Sequence, residues 1–241
     1  MPPGAVSRPC EPGIRSACRW PVPTTARSWF PATYRSAAPS TLSSLPVDAL
    51  LARKSLALLN TSPGNVVLDA ACGRGHTTAC LAEKACHALG ADIQPQQIER
   101  ARERFGHRPH VSFAVADLTR LREKAAGVDL TPGCIDRVHC LEAAFHFGPA
   151  GRRAFLAGNH RVLRPGGRLV LVDFTWPDTA PWTLAELDSH RLVRETWKFE
   201  DFATPKTCVA DATTAGFNVR ALRRRTTRTV ATVARPRRTR S

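Results

Sequence analysis

The sequence predicts an α/β fold built on a mostly parallel sheet, and three observations lead there. Short apolar runs alternate with helix-patterned segments from about residue 45 to residue 215. The first of those runs, Val66, Val67 and Leu68, ends at Asp69 and enters a turn of small residues at alternate positions, Ala71, Gly73 and Gly75. Later runs end at or just before an acid as well: Asp92, Asp117, Glu142 and Asp173. Strands that alternate with helices make a parallel sheet with right-handed crossovers. In such a sheet ligands sit outside the carboxyl ends of the strands. Five acids along that rim read as a site.

Each element follows from its residues. Leu50, Leu51, Leu56, Leu58 and Leu59 make an amphipathic helix that ends before Pro63-Gly64. A strand over about 65–69 leads through the glycine turn into a helix over about 76–84. Glycine allows positive φ and lets a ligand approach the backbone, and the helix start leaves N–H groups without partners. A second strand, 86–91, ends at Asp92, and a helix over 95–105 carries Pro95 in its first turn. Strands follow over 111–115 and about 134–140. A helix over about 151–163 is stopped by Pro165-Gly166-Gly167, and a fifth strand, 168–172, ends at Asp173. Helices over 184–195 and 205–215 and an antiparallel pair within 217–233 complete the reading.

The net charge of +15 is not a folded basic face. Residues 1–44 hold +4 and residues 220–241 hold +9, which leaves +2 for the middle of the chain. Arginine-rich ends of this kind are solvated tails, and no nucleic-acid recognition module is present, so nucleic acid is not the expected partner. No apolar run reaches the roughly 18 residues of a spanning helix. Residues 1–44, rich in Pro, Ser and Ala, read as a disordered extension, residues 45–233 as one domain, and residues 234–241 as an Arg-rich tail. The acid-poor extension also suits an organelle transit peptide, the alternative to a cytoplasmic location. Eight cysteines lie apart with no Cys-x-x-Cys pair, against a zinc framework. Cys72, Cys134 and Cys140 read as small buried thiols in a reducing compartment. No metal is expected.

Four stretches now stand in order: Val67 to Gly75 (Val-Leu-Asp-Ala-Ala-Cys-Gly-Arg-Gly), Gly90 to Pro95, Ala116-Asp117, and Arg161 to Leu169. On these the chain resembles the class I S-adenosylmethionine-dependent methyltransferases, in particular the small-molecule enzymes with a single Rossmann-like domain, over about residues 45–220. The resemblance implies a three-layer sandwich around a seven-stranded sheet of order 3-2-1-4-5-7-6, with the carboxyl-terminal edge open to being incomplete. It implies S-adenosylmethionine as cofactor and a small molecule as methyl acceptor. The loop from Asp69 through Ala71, Cys72, Gly73 and Gly75 would hold the methionine part, mainly through backbone atoms. Asp92, with Ile93 beside it, would accept both ribose hydroxyls, because a carboxylate is acceptor-only. Asp117 would face the adenine amine with Leu118 against the ring, and Leu141 to Ala143 would line the path near the sulfonium. The chain departs from the family at Ala71, where a glycine is usual, and alanine disfavours positive φ.

Methyl transfer needs positioning more than protein chemistry, because the cofactor brings the reactive group. A base helps where the acceptor is a hydroxyl. His146, Asp173 and Glu142 are the candidates, since adjacent strand ends could bring His146 and Asp173 together over the methyl. Each also has a plainer reading. His146 packs between Phe145 and Phe147, Asp173 caps a turn, or Glu142 binds the cofactor's amino group or a backbone N–H. Trp176, Trp182 and Trp197 are either substrate walls or core. O-methyl transfer is favoured. The alternatives are a binding module that has lost catalysis and a dinucleotide-binding oxidoreductase. Against the second, Ala71-x-Gly73-x-Gly75 lacks the Gly-x-Gly-x-x-Gly step.

Overall fold

The computed structural model describes residues 18–19, 46–121, 127–176, 178, 183–197, 202–226 and 229–236. Apart from residues 18–19, the extension read over 1–44 lies outside the described residues, as do residues 237–241 of the tail, Trp182 and the side chain of Trp197.

The elements in chain order are α1 (Pro46–Leu59), β1 (Val66–Ala70), α2 (His76–Ala82), β2 (His87–Asp92), α3 (Pro95–Phe105), β3 (Val111–Val115) and β4 (Ile135–Leu141). They continue as α4 (Gly148–Val162), β5 (Leu163–Phe174), α5 (Leu184–Trp197), α6 (Pro205–Thr214), β6 (Phe217–Thr226) and β7 (Thr229–Pro236). Seven strands form one sheet in the order β3-β2-β1-β4-β5-β7-β6. β1 to β5 pair in parallel, and β7 runs antiparallel to both β5 and β6. This is the Rossmann-like order the resemblance implied, with the carboxyl-terminal edge filled. A separate two-residue pairing joins Cys18–Arg19 to Asp129–Leu130.

Strand parity sorts the core. Val66, Leu68 and Ala70 of β1 and Val138 and Cys140 of β4 point to one face, where they meet Phe155, Leu156 and Val162 of α4. Val67 points to the other face, toward Leu59 of α1 and Leu81 of α2. α4 buries Arg152, Phe155, Leu156, Asn159 and Val162, a stripe at helical spacing. α3 buries Ile98, Ala101 and Phe105 and starts on a proline, where a missing N–H costs nothing.

Several element boundaries differ from the sequence reading; β7 runs to Pro236, past the expected 233 and into the stretch read as tail, and α4 starts at Gly148. α4 passes into β5 at Leu163 without an intervening loop, and Pro165-Gly166-Gly167 lies inside the strand. The β4–β5 register shifts between Ile135 and Arg137, so these residues form an irregularity in the ladder, where a proline's missing donor is tolerated. Gly166 sits there at φ 77°. α2 is also shorter than read, ending at Ala82.

The cysteines differ in part too. Cys140 is buried, but Cys72 and Cys134 are only half-buried, and Cys86 is disulfide-bonded to a side chain outside those described. No helix among the described residues is long and apolar enough to cross a membrane.

Candidate active site at the carboxyl edge of the sheet

The turn after β1 is held in left-handed backbone at three alternate positions: Ala71 at φ 56°, Gly73 at 52° and Gly75 at 80°. Ala71 therefore adopts the conformation alanine disfavours. The neighbouring strand imposes it, because Cys72 N–H donates to Ala91 O at 3.1 Å and Gly73 N–H donates to Asp92 Oδ2 at 2.9 Å. A left-handed alanine costs roughly 1–2 kcal/mol, and glycine loses about 0.5–1 kcal/mol more than alanine in backbone entropy on folding. Ala71→Gly is accordingly expected to raise stability by about 0.5–1 kcal/mol, read from the urea midpoint. The two glycines differ in their surroundings. A Cβ at Gly73 would meet nothing within 4 Å, so its backbone lies open to a ligand. A Cβ at Gly75 would fall 2.7 Å from the Phe113 ring.

Asp92 closes β2 and is buried. Its Oδ1 accepts Gln94 N–H at 2.9 Å while Oδ2 accepts Gly73 N–H. Two of about four acceptor positions are used, which leaves room for a pair of hydroxyls. Burial raises its pKa above the ordinary carboxylate value, the Gln94 and Gly73 N–H groups oppose that, and Asp69 adds to it. Asp117 follows β3, half-buried, with Thr119 N–H and Thr119 Oγ1 both donating to its Oδ1 at 3.0 and 2.6 Å. Ile93 is half-buried beside Asp92.

Three positions carry side chains that are bonded or packed inside the protein. Asp69 shares the parity of Val67 and turns inward, where Thr78 Oγ1 donates to Oδ2 at 2.6 Å and His139 Nδ1 stands 3.1 Å from Oδ1. Its side chain is engaged inside the protein, so only the backbone faces the turn. Leu118 is packed into the main core. Leu141 packs against the α1 face with Leu59 and Val67, while Ala143 packs on the opposite cluster. Each follows from strand parity or from the tight turn after Asp117. Cys72 leans on the Ile98–Phe113 cluster. Burial raises its thiol pKa well above the ordinary value, and Asp69 and Asp92 add to this.

At the other end of the rim, Glu142 stands at φ 51°, a strained conformation for a residue with a side chain, and its N–H donates to Val172 O at 2.7 Å. That places it beside Asp173. Asp173 is buried and caps its own turn, with Phe174 N–H donating to Oδ1 at 3.0 Å. Its pKa lies well above the ordinary carboxylate value. Burial is the main cause, the Phe174 N–H opposes it, the Glu142 charge adds to it, and Arg152 and the Phe145 N–H oppose it. His146 follows on the turn after Glu142. Its ring lies 4.0 Å from the Phe145 ring, with the outer face exposed. The covered face lowers its pKa below the ordinary imidazole value. On the neighbouring strand end, Glu142 is the acid whose charge reaches Asp173. A tight 3-10 turn over Ala144–Phe147 turns the imidazole onto Phe145. Trp176 is core, in a cluster with Phe145 and Phe202.

Sequence reasoning passed over Arg152. It is buried on the inner face of α4 and paired with Asp211 of α6 at 2.8 Å. Its stripe spacing marked a core position, but only the fold shows that an acid on α6 meets it there. Among the described residues no group of three or more His, Cys, Asp or Glu could hold a metal ion.

Known proteins match this architecture. The sequence profile described as "Methyltransferase domain" matches residues 67–167, the span from the glycine turn to the β5 irregularity. An uncharacterized methyltransferase of Synechocystis sp. is 34% identical over 49% of this chain and 51% of its own length. A demethylmenaquinone methyltransferase of Beutenbergia cavernae is 34% identical over 58% of this chain and 53% of its own. The chain thus spans about half the length of these curated relatives. Among solved structures, geranyl diphosphate C-methyltransferase from Streptomyces coelicolor superimposes with TM-score 0.64 at 12% identity, covering 78% of this chain and 77% of that one. A shared glycine turn, sheet order and domain profile thus agree, and residues 67–167 match a methyltransferase domain set on a Rossmann-like sheet.

Proposed function

We propose that this chain binds S-adenosylmethionine on the Ala71–Gly75 turn and transfers its methyl group to a small-molecule acceptor, with a hydroxyl favoured as the acceptor. The observation that carries the reading is Asp92. It is a buried carboxylate tied to the glycine turn through Gly73 N–H, with acceptor capacity left for two hydroxyls. The residues fit the cofactor, since the backbone is open at Gly73 and an acidic acceptor stands next to it. The relatives' names point to small acceptors: demethylmenaquinone for one and geranyl diphosphate for the structural neighbour.

In this reading the turn backbone holds the methionine part, with Asp69 and Cys72 contributing main-chain atoms. Asp92 holds the ribose, Ile93 borders it, and Asp117 meets the adenine amine. Bound there, S-adenosylmethionine supplies the electrophilic methyl group. Asp173 then takes the acceptor's hydroxyl proton. Its raised pKa makes it a stronger base than an exposed aspartate, and base strength is what removal of that proton needs. Glu142, in its strained backbone beside it, helps hold that pKa up. His146, exposed on one face, contacts the acceptor.

Replacing Asp92 with Ala removes the ribose acceptors and frees Gly73 N–H. It is expected to weaken S-adenosylmethionine binding by about 1–3 kcal/mol in calorimetric titration. Affinity unchanged in a folded variant would show that Asp92 does not hold the ribose.

A further inference from the structure

A line of polar side chains crosses the interior beneath the cofactor turn. Ser55 of α1, His139 of β4, Asp69 of β1 and Thr78 of α2 are each 2% exposed or less. His139 Nε2 stands 2.8 Å from Ser55 Oγ, and Nδ1 stands 3.1 Å from Asp69 Oδ1. Thr78 Oγ1 donates to Asp69 Oδ2 at 2.6 Å. Ser55 Oγ is also 2.8 Å from Ala52 O. No side-chain atom of this line is used in the methyl transfer outlined above.

The proton arrangement has two forms. If Ser55 donates to Ala52 O, its oxygen accepts from His139 Nε2–H, and one proton is then shared between Nδ1 and Asp69. If Ser55 donates to Nε2, His139 carries its proton on Nδ1 and donates to the Asp69 carboxylate. In both forms Asp69 receives a bond on each oxygen. A buried carboxylate requires that, because burying one without partners is far more costly than burying it with them.

The placement of Asp69 and Thr78 gives the line its significance. Asp69 precedes the left-handed turn and Thr78 follows it, so the Thr78–Asp69 bond closes the turn across its base. His139 reaches Asp69 because β1 and β4 pair with Asp69 opposite His139. Ser55 lies on α1, which packs on β4 and β5. The line therefore joins the seating of α1 to the shape of the turn.

We propose that His139 is a positioning residue for the cofactor turn. It acts through Asp69 to hold the Asp69–Thr78 closure, and through Ser55 it makes that closure depend on α1 being seated. This rests on the reading that the turn binds S-adenosylmethionine. Low local dielectric strengthens such a chain and raises the cost of leaving it half made, so its members act as a unit.

The test is calorimetric titration of the full chain with S-adenosylhomocysteine, with urea unfolding run beside it. His139→Leu keeps the volume and removes both bonds, and is expected to weaken binding tenfold or more. His139→Asn restores a donor toward Asp69, and is expected to bring affinity back to within about threefold of the parent while stability stays lowered. Leu156→Ala, a core truncation away from the line, is expected to lower stability without moving affinity. Ser55→Ala is expected to weaken binding severalfold and to abolish the hydrogen-exchange protection that the ligand confers on residues 51–59 in the parent.

A folded His139→Leu that binds like the parent overturns the proposal. If that variant does not fold, Ser55→Ala decides, and parental affinity together with parental ligand-induced protection of α1 overturns it. A parent that ignores S-adenosylhomocysteine defeats the cofactor assignment itself, whereas a binding parent with indifferent variants defeats only this proposal.

Discussion

Asp173→Asn is expected to lower kcat toward a hydroxyl acceptor by about 10²–10⁴-fold, the usual contribution of a positioned base. It should leave S-adenosylmethionine affinity within about twofold. The substitution is close to isosteric, and an amide oxygen can still accept Phe174 N–H, so the turn should survive. What is lost is the ability to take a proton. The pH dependence follows from the direction of the shift. Burial and Glu142 place the Asp173 pKa well above the ordinary carboxylate value, and only the ionised form is a base. kcat should therefore climb with pH through that raised pKa, and the limb should vanish in Asp173→Asn. The stability sign is opposite. A carboxyl whose folded pKa is raised binds its proton more tightly in the folded chain, so its ionisation costs stability above that pKa. The cost is complete above that pKa and fades as pH falls from it to the ordinary carboxylate value. Asp173→Asn is thus expected to be neutral or stabilising at alkaline pH while it loses activity, a combination that simple unfolding does not produce. Full activity of the variant on an oxygen acceptor would remove Asp173 from the chemistry.

Gly75→Ala is expected to destabilise the fold by roughly 2–5 kcal/mol, from two separable causes. Its φ of 80° costs an alanine about 1–2 kcal/mol. The added Cβ would also lie 2.7 Å from Phe113 and 3.0 Å from the Ala101 methyl. Phe113 is packed among Ala79, Ile98, Ala101 and Phe105 and has little room to retreat, so overpacking adds about 1–3 kcal/mol. Pairing Gly75→Ala with Phe113→Leu should return part of the steric loss and none of the backbone loss. A double-mutant cycle on the urea midpoint reads the difference. If Gly75→Ala alone costs less than about 1 kcal/mol, the turn is not held in the shape described.

Most of the sheet was legible because its signals are local. Runs such as Val66 to Leu68 that stop at acids mark strand ends, and Pro95 marks the start of a helix. The error at Pro165-Gly166-Gly167 has a physical source. Those residues signal a chain break, and here the break is an irregularity inside β5. The rim acids were all found, but which way each points depends on parity. Asp69 has the parity of Val67, so it faces α1 and α2. His139 has the opposite parity to Val138 and Cys140, so it meets Asp69 from the next strand. Partners such as Ser55 for His139, 84 residues apart, and Asp211 for Arg152, 59 apart, leave no local trace. Positive φ at Ala71 was also illegible, because alanine's own preference argues against it and bonds from β2 override that preference.

Titration of the purified chain with S-adenosylhomocysteine and S-adenosylmethionine, with NADH as the control nucleotide, tests the central claim most directly. The account predicts saturable one-to-one binding of both sulfur nucleosides, weakened by Asp92→Ala, and no response to NADH. A well-folded chain that binds neither sulfur nucleoside would contradict it.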